Sequence, residues 1–507
     1  DSLNWVENMK MPIETALKTG KIVEGTICYT GDITDPNETK YTLDYYVKKA
    51  KELESLGVHI FTIKDMAGLV KTYAAKKLIS ALKEELNIPV NLHTHDSTGN
   101  GVSTLLMASE AGLDIADCAI GSMSSMTSNP CMNSLVEALK GTERDTGLNP
   151  DELTELSQYY ARIRPIYKQF ESGMDAPNTE IYKYEIPGGQ YSNLLAQVKE
   201  MGAAEDFEEI KGLYKDANQL LGNIVKVTPS SKVVGDFAIF MFKNGLTKEN
   251  ILEVGKDLSY PDSVVEYFEG MIGQPEGGFP EELQKIVLKD KKPIDVRPGS
   301  LLPDEDFDYI AKGLKENFYT ENMEDPDILS QKTLSYALYP KVYEDYCRHF
   351  EAYNDVTGLE SHVYFYGLRK GEETTLKLDE GKYLIIKFID MTEPDEDGYR
   401  LLDFEVNGSI REIKVLDKNL EVKTDRRVKA DKSNPAHLGS TIPGTVGKVL
   451  VNEGDEVTVN MPLMTVEAMK METTVVSTVN GKVDKIYVKE GEQVYQEDLL
   501  ISFEIDE

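Results

Sequence analysis

In the stretch NLHTHD (Asn91–Asp96) two histidines, His93 and His95, stand two residues apart at the end of an apolar run. On a β-strand that spacing puts both imidazoles on one face. The arrangement suits a transition-metal ion, although two hydrogen-bonded histidines in a polar pocket share it. Asp32, Lys64, Asp65 and Asp96 fall near the ends of the same or neighbouring runs. Lys64 is the odd member, because an ammonium repels a metal ion. Unmodified, it is a bystander or an anion binder; an amine that has added CO₂ becomes a carbamate, which ligates as a carboxylate does. A second lysine, Lys470, sits between two methionines in VEAMKMETT (Val466–Thr474). Alone it reads as a solvated surface side chain. Thr228 opens the segment TPSS, which reads as a helix start with Thr228 as N-cap and proline in the first turn. A helix N-terminus also faces anions well.

The strands that would carry the histidines alternate with amphipathic helices. Short apolar runs at Val23–Gly31, Val58–Asp65, Pro89–Asp96 and Ile115–Ser122 are separated by helical periodicity at Leu43–Leu56, Leu69–Leu86 and Val102–Leu113. Gly57 and Asn87 stop the first two helices. Repeated βα units specify a parallel sheet, either doubly wound or a (β/α)₈ barrel. Polar residues at the carboxyl ends of several strands favour the barrel, whose active site lies there.

Lys470 has a different setting. Gly444–Glu467 aligns with Gly481–Glu504 at a constant offset of 37 residues, and Gly444, Val446, Lys448, Val451, Glu453, Gly454, Val457, Leu463 and Glu467 recur as identical residues. Such self-similarity marks a repeated supersecondary unit, and the Val-x-Val alternation with Glu-Gly turns marks short strands. Two such units predict a small, two-fold-related β sandwich, with Lys470 at the hairpin that joins the copies.

That combination resembles the biotinyl (biotin carboxyl carrier) domain, whose acceptor lysine lies in an Ala-Met-Lys-Met turn between two pseudo-symmetric halves. Lipoyl domains share the fold but usually lack the two methionines. The resemblance implies biotin attached to Lys470 by a biotin protein ligase. The stretches IFTIKDMAGLV and NLHTHDSTGNG are similar to the carboxyltransferase domain of pyruvate carboxylase and its relatives, as are IADCAIGSMSSMTSNP, IPGGQYSNL and VTPSSKVVGDFA. In that family the lysine matching Lys64 is carbamylated and binds a divalent metal (Zn, Mn or similar) with residues matching His93 and His95 and an Asp from the first barrel strand. Thr228 matches the threonine that relays a proton between pyruvate and biotin, and Gln190, Ser231 and Lys232 match the pocket for the biotin ring. The first-strand Asp and the earlier strands are not found here, so a half barrel is expected, with the remaining strands preceding Asp1 or arriving on a separate chain.

The expected architecture is a multi-domain α/β plus β protein. It comprises the second part of a TIM barrel (1–147), a helical funnel (148–320), a small α+β tetramerisation or allosteric region (321–428), a linker (429–440) and the biotin carrier β sandwich (441–507). Gly381–Asp417 reads as three strands with turns at EDG and NG. The net charge of −33, with no sizeable Lys/Arg cluster, argues against nucleic acid. No apolar run reaches the roughly 18 residues of a membrane span, and four scattered cysteines fit a reducing cytoplasm. The resemblance implies transfer of a carboxyl group from biotin to pyruvate giving oxaloacetate, ATP and bicarbonate being used at a biotin carboxylase domain outside this chain. It also implies a homotetramer and a small nucleotide effector such as acetyl-CoA or a cyclic dinucleotide. An oxaloacetate decarboxylase or transcarboxylase subunit built on the same modules, or a non-catalytic carrier and scaffold, are the other readings.

Overall fold

The computed structural model describes residues 1–171, 173–318, 322–395, 397–417, 428–431, 434–468 and 471–505. Two compact units emerge, one formed by Asp1–Leu301 with Arg427–Glu507 and the other by Leu302–Arg426.

The first unit begins with α1 (Val6–Lys18), β1 (Glu24–Cys28), α2 (Leu43–Ser55), β2 (Ile60–Asp65), α3 (Thr72–Glu85), β3 (Val90–Thr94), α4 (Gly101–Glu110) and β4 (Ile115–Ala116). The four strands form a parallel sheet in the order β1-β2-β3-β4, and it does not close on itself. Local chemistry explains the helices. Thr42 caps α2 by accepting the Tyr45 N–H, and Tyr45, Tyr46, Ala50 and Leu53 form its buried face. Gly57, at φ +87°, takes the left-handed position that ends it. α3 buries Ala74, Ala75, Leu78, Ile79 and Leu82, and each leucine so buried contributes roughly 1.5–3 kcal/mol. α3 begins three residues later than its periodicity predicts, and the Asp65 carboxylate accepts the Leu69 and Val70 N–H groups in the loop before it. The last apolar run is a strand for Ile115–Ala116 only. Beyond it the chain makes a single bridge, Ala119 to Cys131.

α5 (Met132–Leu139) and α6 (Pro150–Ile163) lead to the helical middle, which comprises α7 (Ile181–Tyr184), α8 (Gly188–Glu200), α9 (Phe207–Leu220), α10 (Ser230–Lys243), α11 (Ile251–Val254), α12 (Asp262–Glu269) and α13 (Glu281–Leu288). These helices share a separate core built on Leu194, Val198, Ile210, Tyr214, Phe237 and Tyr267.

The second unit contains α14 (Phe307–Asn317), α15 (Pro326–Leu338), α16 (Pro340–Tyr353) and α17 (Ser361–Tyr366), then an antiparallel meander β5 (Glu373–Asp379), β6 (Lys382–Met391), β7 (Tyr399–Val406) and β8 (Ser409–Leu416). The three strands read in Gly381–Asp417 are β6, β7 and β8; β5, ahead of that stretch, offers only Leu376 and Leu378 as apolar residues. Asn407 and Gly408, at φ +47° and +80°, make the turn between β7 and β8.

The carrier module consists of β9 (His437–Gly439), β10 (Gly444–Val449), β11 (Glu456–Val457), β12 (Pro462–Ala468), β13 (Met471–Val476), β14 (Gly481–Ile486), β15 (Gln493–Val494) and β16 (Leu499–Ile505). Its sheets run β13-β12-β10-β15 and β9-β16-β14-β11, so the offset of 37 residues carries one sheet onto the other. The repeated residues are the ones that hold the copies together. Glu453 accepts the Ile486 N–H and Glu490 accepts the Val449 N–H, at 3.1 and 3.0 Å. Likewise the Gly454 and Gly491 N–H groups bond the Val483 and Val446 carbonyls, both at 2.8 Å. Gly444 and Gly481 lack a Cβ because one would strike the carbonyls of Glu467 and Glu504. Val446, Val451, Val457, Leu463 and their counterparts fill the core.

Candidate active site

Register decides which residues meet. Cys28, Lys64 and His93 are cross-strand neighbours, and Thr26, Thr62 and Asn91 form the row behind them. Because side chains alternate along a strand, these two rows share one face of the sheet. It opens into a cavity of about 440 Å³ lined by Thr26, Cys28, Thr62, Lys64, His93, Asp117 and Thr228, among others.

The two imidazoles are held alike. His93 Nδ1 bonds Asp117 Oδ2 at 2.8 Å, and His95 Nδ1 bonds the Thr127 carbonyl at 2.7 Å. A carbonyl only accepts, so His95 Nδ1 carries the proton and Nε2 keeps its lone pair; the Asp117 carboxylate selects the same tautomer of His93. Burial pushes the His95 pKa down, which keeps the ring neutral. The rings lie 5.4 Å apart, inclined at 70°. The Nε2 atoms of His93 and His95 beside Lys64 fit a transition-metal ion whose ligands are oriented from behind. Among the described residues no three His, Cys, Asp or Glu side chains converge to hold a metal. Lys64 stands next in register to His93.

The neighbouring acids have structural duties instead. Asp65 is fully buried and accepts the Leu69 and Val70 N–H groups and the Thr94 hydroxyl, each at 2.8 Å. Asp96 accepts the Gly101 N–H at 2.8 Å at the start of α4, and Asp32 pairs with Lys71 at 2.6 Å.

Thr228 does not cap α10, contrary to the local reading of TPSS. The N-cap is Pro229, without a side-chain cap bond. Ser230 secures this turn, its Oγ accepting the Val227 N–H at 3.1 Å and reaching the Val225 and Val227 carbonyls at 2.7 Å. Thr228 instead lines the cavity with Lys64 and His93.

Gln190, on α8, is buried, and its amide packs where a Cβ on Gly235 would stand. Gly235 lies four residues beyond the buried Ser231, so both face one side of α10. Lys232 borders a second cavity, of about 690 Å³, lined also by carrier residues including Asn460, Pro462, Thr473 and Thr474. The structure thus gathers Lys64, His93 and Thr228, sets His95 beside them, and separates Lys232 from that group. Lys470 lies outside the described residues. The flanking strands pair as far as Ala468 with Met471. Sequence reasoning missed Asp117. Its inward position follows from the alternation on β4, but two residues of strand are too short a signal to show it.

Three family models match: residues 13–159 as HMGL-like, 181–387 as a conserved carboxylase domain, and 435–503 as a biotin-requiring enzyme. Pyruvate carboxylase of Bacillus subtilis (strain 168) is 48% identical over 504 residues, covering 99% of this chain and 43% of that protein. The chain therefore spans less than half the length of this relative. A complete multifunctional pyruvate carboxylase from Rhizobium etli superposes with a TM-score of 0.77 at 40% identity, covering 99% of this chain and 46% of that one. The carboxyl transferase domain of the Rhizobium etli enzyme with pyruvate and biocytin gives a TM-score of 0.77 at 43% identity, covering 82% of this chain and 70% of that one. No helix among the described residues is long and apolar enough to cross a membrane.

Proposed function

The chain belongs to the pyruvate carboxylase family, and on that premise we propose that it performs the second half of a two-step carboxylation, moving a carboxyl group from biotin on Lys470 to pyruvate to give oxaloacetate. The ATP- and bicarbonate-consuming step belongs to a biotin carboxylase domain outside this chain, and residues 321–428 serve assembly into a tetramer. One observation carries this reading: Thr228, from the turn before α10, lines one cavity with Lys64 and His93 from the sheet.

Lys64 as its carbamate, with Nε2 of His93 and of His95, would hold a divalent cation. Such an ion, when bound, polarises a carbonyl oxygen and so makes the adjoining methyl group more acidic. Carboxylated biotin, when brought there, would supply the carboxyl group and take up a proton in exchange. Thr228 Oγ1 takes that proton from the pyruvate methyl carbon and hands it on, acting as a relay with no net change in its own charge. Gln190 and Ser231, buried on facing sides of α8 and α10, offer an amide and a hydroxyl to the ureido ring. Lys232 adds a cation at the rim of the path from the carrier strands. Bringing both reactants into one cavity makes the transfer effectively unimolecular.

Thr228→Ala in the full-length polypeptide tests the assignment. Oxaloacetate formation should be lost, while avidin detection and bicarbonate-dependent ATP cleavage persist. Normal oxaloacetate production would remove Thr228 from the mechanism.

A further inference from the structure

Two residues before Thr228, the Lys226 side chain is 2% exposed, and all three of its hydrogens are used. It donates to Glu185 at 2.7 Å, to the Thr30 hydroxyl at 3.2 Å and to the Ile224 carbonyl at 3.3 Å. The Thr30 hydroxyl in turn donates to Glu185 at 3.3 Å. Thr30 follows β1 closely and is itself fixed by the buried Tyr46, whose hydroxyl accepts from the Thr30 N–H at 2.9 Å and donates to its carbonyl at 2.8 Å. Three segments distant in sequence therefore close on one ion pair: the end of β1, the entry to α8 and the turn before α10.

Glu185 is the unusual member. Its backbone sits at φ +56° in the left-handed region, as the residue that ends α7. Glycine or asparagine occupies that position without penalty, whereas glutamate is strained there. A lysine as deeply buried as Lys226 is likewise a poor choice for stability, since a well-packed apolar pair often does as well. Strain and buried charge held together at one point suggest a requirement for position. What lies next to each partner identifies it: Gln190 is five residues beyond Glu185, and Thr228 two beyond Lys226.

We infer that the Lys226–Glu185 pair, closed onto Thr30, positions Thr228 and Gln190 relative to the strand ends that carry Lys64 and His93. This rests on the catalytic reading of Thr228 and Gln190 given above. The two residues touch no reactant; they act through the segments they tie together.

The test uses the full-length, biotin-bearing polypeptide. Glu185→Gln keeps the shape and removes the charge. It should lower kcat for oxaloacetate formation by about tenfold to a hundredfold, with KM for pyruvate within about twofold of the native value. In the reverse reaction, with free biotin as carboxyl acceptor, the same variant should bind biotin more weakly. An unchanged kcat with unchanged biotin binding overturns the inference. A purely stabilising pair is separated by the double variant Lys226→Met with Glu185→Leu, which restores apolar packing. A native Tm with kcat still low supports positioning, and recovery of both overturns it. If Thr228→Ala, measured alongside, keeps full turnover, the reading of Thr228 has failed instead. Weakened biotin binding in Glu185→Gln then still supports the hold on Gln190, and unchanged binding overturns it.

Discussion

The carrier module and the half barrel solve the same problem, placing a reactive side chain, by opposite means. In the carrier the proposed acceptor, Lys470, lies in sequence between two paired strands, and the fold behind is two copies of one unit bracing each other through Glu453 and Glu490. In the half barrel nothing reactive is local. Lys64, His93 and Thr228 come from two strands and a distant turn. A group that must travel is best mounted on a self-sufficient module. A site that must receive it needs convergence from several directions, and its chemistry and its folding are then hard to separate.

Breaking the two regions should therefore look different. The largest expected effect is on the carrier: Lys470→Arg should abolish avidin labelling completely while leaving Tm unchanged. Labelling that persists would place the acceptor elsewhere. In the barrel, by contrast, a buried anchor should damage fold and function together. Asp65→Ala orphans the Leu69 and Val70 N–H groups and the Thr94 hydroxyl and should cost about 3 kcal/mol in chemical denaturation. A native denaturation midpoint would mean that water replaces the carboxylate, and that the loop does not depend on it.

The contrast sharpens with pH. Burial raises the Asp236 carboxyl on α10 to about 6, against a Ser263 hydroxyl bond at 2.6 Å that pulls the other way. A raised carboxyl favours its neutral form, so the stability it contributes is complete below its unfolded value of about 4 and is lost as pH rises through about 6. Asp236→Asn should gain roughly 1–2 kcal/mol near pH 7 and almost nothing near pH 4. An unaltered pH profile would exclude Asp236 as its source. The smallest effects test the carrier's symmetry. Glu453→Ala and Glu490→Ala should each cost about 1 kcal/mol and match one another, since each removes the same brace from opposite copies. Clearly unequal costs would show that the copies are not equivalent in energy.

Much of this organisation was readable from residue order. The 37-residue repeat reappears as two superposable sheets because identical residues at a fixed offset make reciprocal contacts. The βα alternation was legible because hydrophobic period depends on which face of each element is buried, a local property. β5, with two leucines among polar residues, and α1, with Pro12 inside it, carried too little of that signal.

Sequence by itself determined that Lys64 and Asp65 must point to opposite faces, that His93 and His95 share one, and that the carrier is a duplicated sandwich. Only the tertiary structure decided which face is the cavity. It made Asp65 a loop anchor, left the securing of the α10 turn to Ser230 and brought Thr228 to the cavity wall. It also supplied Asp117 behind His93 and the Lys226–Glu185 closure. The reason is physical: periodicity records burial along one element, whereas a site is made by side chains whose separation in space bears no relation to their separation along the chain.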